Sequence, residues 1–410
     1  MDKLAFQRSE GEVATVPRSA DFAKLETIKV DILDSIKRNA PKIGARNPMI
    51  GGGPKDFSWQ YPEIGYFWTD PFWAGELWLS YMLTGEQAFA NMARIRTNRL
   101  SRVLDNPLWV NHDLGFEFSL TAVADYKMTG NEQARELALK AAHALTQRFN
   151  WVGQYLLAWT SGPGQFERAQ ALGGKTIIDS MQNLSLLLWA HSETSLPAFR
   201  DVALGQAETV RKYLIRDDFS SYHTYDFDLV TNQPICGKTC QGYADESCWS
   251  RGQAWAIHGF AQMAENTGDM TYAETSANLA DYMMGKIADD LVPQWDYLLP
   301  ADEIQYKDTS AGSITASGLL MLGDVFGRTG DTERADRYWN CGMKMLLALR
   351  EKYDLCANKE AQGLLSDAAS DVHAAERTGN LYLANAMLPY GDYYYFEAVL
   401  RAQGHREFFW

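Results

Sequence analysis

Y-K-M-T-G-N-E-Q-A-R-E-L-A-L-K-A-A-H-A-L, Tyr126 to Leu145, closes an apolar helical run on a Thr-Gly pair and restarts at once as an amphipathic helix. Glycine just past the last helical turn accepts the left-handed backbone that ends a helix, and Asn131 is a residue type that caps the next one. The stretch therefore predicts a helical hairpin. The same punctuation recurs in Y-M-L-T-G-E at Tyr81, A-E-N-T-G-D at Ala264 and F-G-R-T-G-D at Phe326. A fifth turn, W-A-H-S-E-T-S-L-P at Trp189, does the same with Pro197 opening its second helix. Helix pairs repeated along one chain build a solenoid or a closed helical ring.

The first helices of these pairs share a second trait. T-D-P-F-W-A-G-E-L-W-L-S-Y, N-H-D-L-G-F-E-F-S-L-T-A-V, I-D-S-M-Q-N-L-S-L-L-L-W, S-R-G-Q-A-W-A-I-H-G-F and D-T-S-A-G-S-I-T-A-S-G-L-L-M-L all begin polar and turn apolar or small. N-L-Y-L-A-N-A-M-L-P-Y-G-D-Y-Y-Y, from Asn380, is a looser sixth. Such helices are too apolar all round for a surface, whereas the second helices are amphipathic. The expected fold is all-α, an (α/α)6 barrel of six inner and six outer helices. A helix from about Asp21 to Arg38 supplies the twelfth. The expected division is an N-terminal extension, residues 1–20, and one catalytic domain, residues 21–410. All six polar starts then open at one mouth.

The mouth holds the candidate chemistry. Asp179 follows two isoleucines and precedes an apolar run, a costly place for a carboxylate without partners. In the expected ring it shares a cavity with Asp113, Arg251, Asp70 and Asp308, and Gln182 and Asn183 lie within its reach one turn on. An aspartate at a helix start is commonly a cap. Asp308, ahead of Thr309 and Ser310, and Asp70, ahead of Pro71, suit that role; Asp113 and Asp179 suit it less, and burial near a second carboxylate is expected to raise the pKa of Asp179. Converging helix N-termini favour an anionic ligand.

Bulk properties bound the rest. The chain has 410 residues, 46% of them hydrophobic, and a formal net charge of -14, which argues against nucleic acid or an anionic membrane as partner. No apolar stretch is long enough for a membrane span, and M-D-K-L-A-F-Q-R-S-E lacks the layout of a secretory signal, so the expected location is cytoplasmic, or periplasmic if a leader has been removed. The five cysteines read as reduced thiols; Cys236, Cys240 and Cys248 have poor spacing for zinc and read as small buried hydrophobes in a loop. No metal or cofactor is expected. The chain has thirteen tryptophans and twenty tyrosines, with aromatic clusters outside the repeats at Phe57, Phe149 and Gln294. Most will be packing. A carboxylate-lined mouth flanked by Trp and Tyr is nevertheless the usual surface for carbohydrate.

Six ordered motifs carry a family resemblance: N-H-D-L-G-F at Asn111, I-D-S-M-Q-N-L-S-L-L-L-W-A at Ile178, Y-H-T-Y-D-F-D at Tyr222, Q-G-Y-A-D-E-S-C-W-S-R-G-Q-A-W at Gln241, D-T-S-A-G-S-I-T-A-S-G-L-L at Asp308 and Y-G-D-Y-Y-Y-F-E-A-V-L-R at Tyr390. From about Trp68 to Arg401 the chain resembles the unsaturated glucuronyl hydrolases, glycoside hydrolase family 88. The resemblance implies a substrate left by a polysaccharide lyase, a di- or oligosaccharide ending in a uronic acid with a C4=C5 double bond. It implies Asp179 as general acid/base, protonating C4 while hydroxyl is delivered to C5, and Asp113 as a second essential carboxylate. By the same resemblance His223, Gln241, Arg251 and Trp255 are substrate contacts, and Trp68 and Trp159 line the sugar-stacking walls. Arg251 is the candidate for the uronate carboxylate, with a pairing to Asp113 or Glu246 as its alternative; His223 has the alternative of a satisfied loop histidine. Arg251 and Trp255, four apart on one helix, are expected to face the cavity together.

The first sixty residues carry no motif. The segment from Ser366, S-D-A-A-S-D-V-H-A-A-E-R-T-G-N, is where a preference for sulfated or unsulfated substrates is expected. Three other readings stand beside this one: an unsaturated rhamnogalacturonyl hydrolase, an ordinary inverting glycosidase using Asp113 and Asp179, and a non-catalytic glycan-binding helical repeat. A monomer or weak homodimer is expected.

Overall fold

The computed structural model describes residues 19–52, 56–62, 67–159 and 173–410. Nearly all of the expected extension, residues 1–20, lies outside the described residues, as do residues 63–66 of the aromatic segment at Phe57. The helices are α1 (Ser19–Ile43), α2 (Asp70–Thr84), α3 (Gln87–Leu100), α4 (Leu114–Phe118), α5 (Ala124–Thr129), α6 (Glu132–Thr146), α7 (Ser180–Thr194), α8 (Pro197–Thr209), α9 (Ser250–Thr267), α10 (Met270–Met284), α11 (Thr309–Arg328), α12 (Thr332–Lys352), α13 (Val372–Thr378) and α14 (Pro389–Ala402). A π-helical turn, Ser119–Val123, joins α4 to α5, so the two act as one inner helix.

The Thr-Gly turns do what their residues predict. Gly85, Gly130 and Gly268 adopt left-handed φ, and each N–H returns to the carbonyl of Tyr81, Tyr126 or Ala264. Gly330 also has positive φ, and in the fifth turn Ser195 takes the left-handed place ahead of Pro197. Asn131, Asp269 and Asp331 cap the helices that follow. Each inner helix is thus folded back onto an outer one: α2 on α3, α4 on α6, α7 on α8, α9 on α10 and α11 on α12. The inner helices α2, α4–α5, α7, α9, α11 and α14 pack side by side in that order, and α14 returns to α2 with α1 against both. This is the (α/α)6 barrel. The twelfth helix is longer at both ends than the stretch from Asp21 to Arg38.

Burial follows from the two compositions. In α11 every residue from Thr309 to Gly327 is buried, including serines whose hydroxyls are satisfied within the ring; Ser313 Oγ donates to Ser310 O at 3.1 Å and to Gly391 O at 2.9 Å. In α12 the buried residues form one stripe, among them Ala335, Tyr338, Met345 and Leu349. Close approach inside the ring depends on small residues. A Cβ on Gly115 would lie 2.2 Å from Asn183 Cα, so α4 meets α7 backbone to backbone.

Gln182 and Asn183 differ from expectation. They bracket neighbouring helices and do not reach the Asp179 carboxylate. Gln182 Oε1 accepts from Tyr394 Oη at 2.9 Å and its Nε2 donates to Trp255 O at 2.9 Å. Asn183 Oδ1 accepts from Phe116 N at 2.7 Å, and its Nδ2 faces the Asp179 carbonyl at 3.3 Å. A buried amide finds the nearest backbone partners, and those lie across the ring.

The helix-only expectation also omitted short antiparallel pairs between the helices. They are β1 (Ile50–Gly51) with β2 (Trp59–Gln60), β3 (Phe149–Asn150) with β4 (Tyr155–Leu156), and a sheet of β5 (Lys175–Ile177), β6 (Thr224–Phe227) and β7 (Pro234–Lys238). No helix among the described residues is long and apolar enough to cross a membrane.

Candidate active site

The three-stranded sheet builds the centre of the mouth. Ile177 pairs with Thr224, and Ile178 N continues the ladder by donating to His223 O at 2.9 Å. Asp179 and His223 therefore emerge side by side where β5 ends and β6 begins, and Thr224 opposite Lys238 brings Cys240 and Gln241 to the same point. The backbone N–H groups of Cys240 and Gln241 donate to His223 Nδ1 at 3.1 and 3.3 Å. An acceptor Nδ1 puts the ring proton on Nε2. That nitrogen lies 4.0 Å from Asp179 Oδ1, and both atoms are buried without a hydrogen-bond partner.

Asp179 occupies the N-cap position of α7 and Asp113 that of α4, yet neither side chain caps its helix. Asp308 does cap, accepting from Ser310 N and Ala311 N. Asp113, Asp179 and Asp308 thus divide as their settings suggest, but Asp70 does not: it is the first residue of α2, the N-cap is Thr69, and no side chain caps that helix. Burial pushes the Asp179 carboxyl up to about 7, against the pull of Arg251. Burial and then the charge of Asp179 push Asp113 well above the usual carboxylate range. His112 Nε2 stands 3.5 Å from Asp113 Oδ1. Burial lowers both His112 and His223 to about 3, so both imidazoles are neutral at physiological pH.

Arg251 is buried at the start of α9. Its Nη1 donates to Asp308 Oδ2 and Ala369 O, each at 2.5 Å, and its Nη2 to Ser370 O at 2.8 Å. Its ion-pair partner is therefore Asp308, and neither Asp113 nor Glu246 takes that place; Glu246 instead lies 3.9 Å from Arg216. Gln241 Nε2 converges on the same Ser370 carbonyl at 2.8 Å.

Aromatic rings enclose these groups. Trp249 lies 4.2 Å from the His223 ring and 4.5 Å from the Arg251 guanidinium. Trp68 is half-buried and stacks on Tyr390 at 5.0 Å, with Arg251 5.3 Å over the other ring. Trp159, also half-buried, meets His112 edge-on at 6.0 Å. Trp255 is fully buried between Phe116 and Tyr394 with its Nε1 unpartnered, a floor to the site and not an open wall.

Contacts thus tie Asp179, Asp113, His223, Gln241, Arg251, Trp255, Trp68 and Trp159 into one region. Asp70 stands apart. Burial raises its carboxyl to about 6 against Asn47, Arg99 and Arg96, so it faces α3 and the chain leading into α2. His112, Trp249, Tyr390 and Ser370 were missed as site residues; the first three lie inside the motifs and Ser370 inside the segment from Ser366, where no charge pattern or spacing singled them out. Of the three neighbouring cysteines only Cys248 is buried; Cys236 is half-buried in β7 and Cys240 is exposed. Among the described residues no group of three or more His, Cys, Asp or Glu side chains is placed to hold a metal ion.

No family model matches the chain. The unsaturated glucuronyl hydrolase of Bacillus sp. (strain GL1) is 36% identical over 386 residues, 91% of this chain and 95% of that protein. Its crystal structure superposes with a TM-score of 0.84 at 35% identity, over 93% of this chain and 97% of that one. The unsaturated chondroitin disaccharide hydrolase of Streptococcus pneumoniae (strain ATCC BAA-255 / R6) is 32% identical over 365 residues, 87% of each. An Asp-to-Asn variant of unsaturated glucuronyl hydrolase from Streptococcus agalactiae, complexed with dGlcA-GalNAc6S, superposes with a TM-score of 0.78 at 26% identity over 95% and 94% of the two chains. With the barrel, the two uncapped aspartates and relatives that match along nearly the whole length, the chain belongs to the unsaturated glucuronyl hydrolases.

Proposed function

We propose that the protein releases the 4,5-unsaturated uronic acid from the non-reducing end of lyase-generated oligosaccharides, glycosaminoglycan-type or similar, by hydrating the C4=C5 vinyl ether. The catalytic domain is residues 21–410. One observation carries the reading: Asp179 Oδ1 and His223 Nε2 are buried, face each other at 4.0 Å and lack partners, while burial holds the carboxyl near a pKa of about 7. A group poised there donates a proton and takes one back with little penalty in either direction.

The roles follow from that poise. Protonated Asp179 gives its proton to C4, and positive charge develops at C5, where the ring oxygen shares it. Asp179, now a carboxylate, accepts a proton from water as the hydroxyl bonds to C5, which restores the acid. The resulting hemiketal opens by breaking its bond from C5 to the ring oxygen, and the hemiacetal left at C1 expels the remaining sugar. His223, neutral with its proton on Nε2, orients that water. Asp113, kept protonated beside Asp179, binds sugar hydroxyls as both donor and acceptor. Trp68 and Trp159 stack against the sugar faces, Arg251 takes the uronate carboxylate, and Trp255 closes the floor.

The relatives named for unsaturated glucuronyl and chondroitin disaccharide hydrolysis support this substrate class. Lyase-made disaccharides from chondroitin, hyaluronan and heparin test it through loss of the ultraviolet absorbance of the conjugated uronate. The expected result is absorbance loss with at least one of them and no release from saturated glycosides of the same sugars. Cleavage of saturated glycosides as the better substrates would point to the ordinary inverting mechanism instead.

A further inference from the structure

A guanidinium has five N–H groups, and a ligand can use only those the protein leaves open. In Arg251 both N–H groups of Nη1 are committed, to Asp308 Oδ2 and Ala369 O, and Nη2 gives one to Ser370 O. What remains is Nε–H and one N–H of Nη2. These two nitrogens flank one edge of the guanidinium plane, at the spacing a carboxylate accepts as a bidentate pair. The guanidinium carbon also stands over two rings, Trp249 at 4.5 Å and Tyr390 at 5.3 Å.

Asp308 is in turn fixed from behind. It is fully buried, and its Oδ1 accepts from Ser310 N at 3.1 Å and Ala311 N at 3.3 Å at the start of α11. The rim segment 366–371 that supplies the two carbonyls is anchored to the same helix start, since Thr309 Oγ1 donates to Ser366 O at 2.6 Å and Thr309 N to Asp367 O at 3.2 Å. Gln241 adds a second grip on Ser370 O. Helix α11 therefore presents one rigid bracket, an oxygen from Asp308 and two from the rim, to one side of Arg251.

We infer that Asp308 is a positioning residue for substrate binding: by occupying Nη1 it turns the Nε and Nη2 edge of Arg251 toward the uronate carboxylate. This rests on the reading of Arg251 proposed above. Asp308 touches no substrate; it acts through Arg251. Its second job, capping α11, needs only a side-chain oxygen, which asparagine also has. Asp308→Asn therefore keeps the cap and loses the charge that holds Arg251.

The experiment compares two substrates on two proteins: the unsaturated disaccharide as its free uronate and as the uronate methyl ester, each on the parent and on Asp308→Asn. One charge-assisted hydrogen bond lost predicts a KM for the free acid raised about tenfold to a hundredfold, with kcat changed far less. The ester, which offers no carboxylate, is expected to show parent and variant within about twofold of each other, since the lost alignment has nothing to bind. Equal loss on acid and ester would overturn the inference, because a residue that merely supports the fold penalises both alike. An unchanged KM for the acid would overturn it as well. Should Asp308→Asn not accumulate as folded protein, Asp308→Glu, which keeps the charge but displaces it by a methylene, is read by the same two ratios. A parent inactive on every unsaturated disaccharide would instead sink the proposed function, a result separate from either ratio.

Discussion

Two buried carboxylates, one at each end of the ring, have opposite fates. Glu397 on α14 is fully enclosed, yet every oxygen is answered: Oε1 accepts from Arg401 Nε at 2.8 Å and Ser317 Oγ at 2.9 Å, and Oε2 from Trp410 Nε1 at 2.7 Å. Against its burial, Arg401 and the nearby His258 hold its carboxyl well below the usual range. Asp179 at the mouth is almost as deeply buried but has an orphaned oxygen, and its carboxyl rises to about 7. Burial alone does not separate structure from chemistry here; the presence or absence of partners does.

The largest expected effect lies at the satisfied end. Glu397→Gln takes from buried Arg401 its close partner and leaves it only the more distant Glu265, at 3.9 Å, and breaking such a buried pair costs about 3–5 kcal/mol. A carboxylate with lowered folded pKa stabilises above its unfolded value and loses that contribution as pH falls through the folded one, so the loss in melting temperature is expected to be large at pH 8 and smaller in acid. An unchanged melt at pH 8 would show that the network is not structural.

Asp179→Asn is expected to move stability the other way. A carboxyl whose folded pKa of about 7 exceeds an unfolded value near 3.9 costs nothing below pH ~4, costs increasingly between ~4 and 7, and costs at most about 4 kcal/mol above that. The asparagine variant should therefore melt above the parent at pH 8 and alongside it at pH 4. A lower melt at pH 8 would mean that the carboxylate has partners after all.

Gly115→Ala probes the seam that sets Asp113 beside Asp179. Its Cβ would meet Asn183 Cα at 2.2 Å, and forcing α4 off α7 is expected to cost about 1–3 kcal/mol and to lower kcat, which thermal melts and steady-state rates would check. The smallest effect belongs to the rim. Trp159→Ala removes one stacking face and should raise KM by roughly 1 kcal/mol, about fivefold, with little change in melting temperature; a larger loss of kcat than of affinity would assign Trp159 another task.

The ring was legible because its determinants are local. Thr-Gly turns with left-handed glycines, caps such as Asn131, and helices either apolar all round or striped are each decided within a few residues. Asp179 was legible for a related reason, since isoleucines before a carboxylate already announce burial. What stayed hidden depends on partners distant in sequence. The pairing of β5 with β6 that sets His223 beside Asp179, the choice of Asp308 over Asp113 or Glu246 by Arg251, and the use of Gln182 and Asn183 as brackets across the ring are all decided by register between segments. Asp70 resembles the other helix starts in sequence, and its surroundings, Asn47 and then Arg99 and Arg96 on the neighbouring α3, come from other segments.

The account turns on the proton of Asp179, and turnover by Asp179→Asn tests it most directly. With a lyase-made disaccharide that the parent hydrolyses, the variant should bind with a similar dissociation constant by calorimetry while absorbance loss falls by about a thousandfold or more, because the shape remains and the acid is gone. Hydrolysis by the variant within about tenfold of the parent would contradict the account, since a proton donor worth its place contributes more than that.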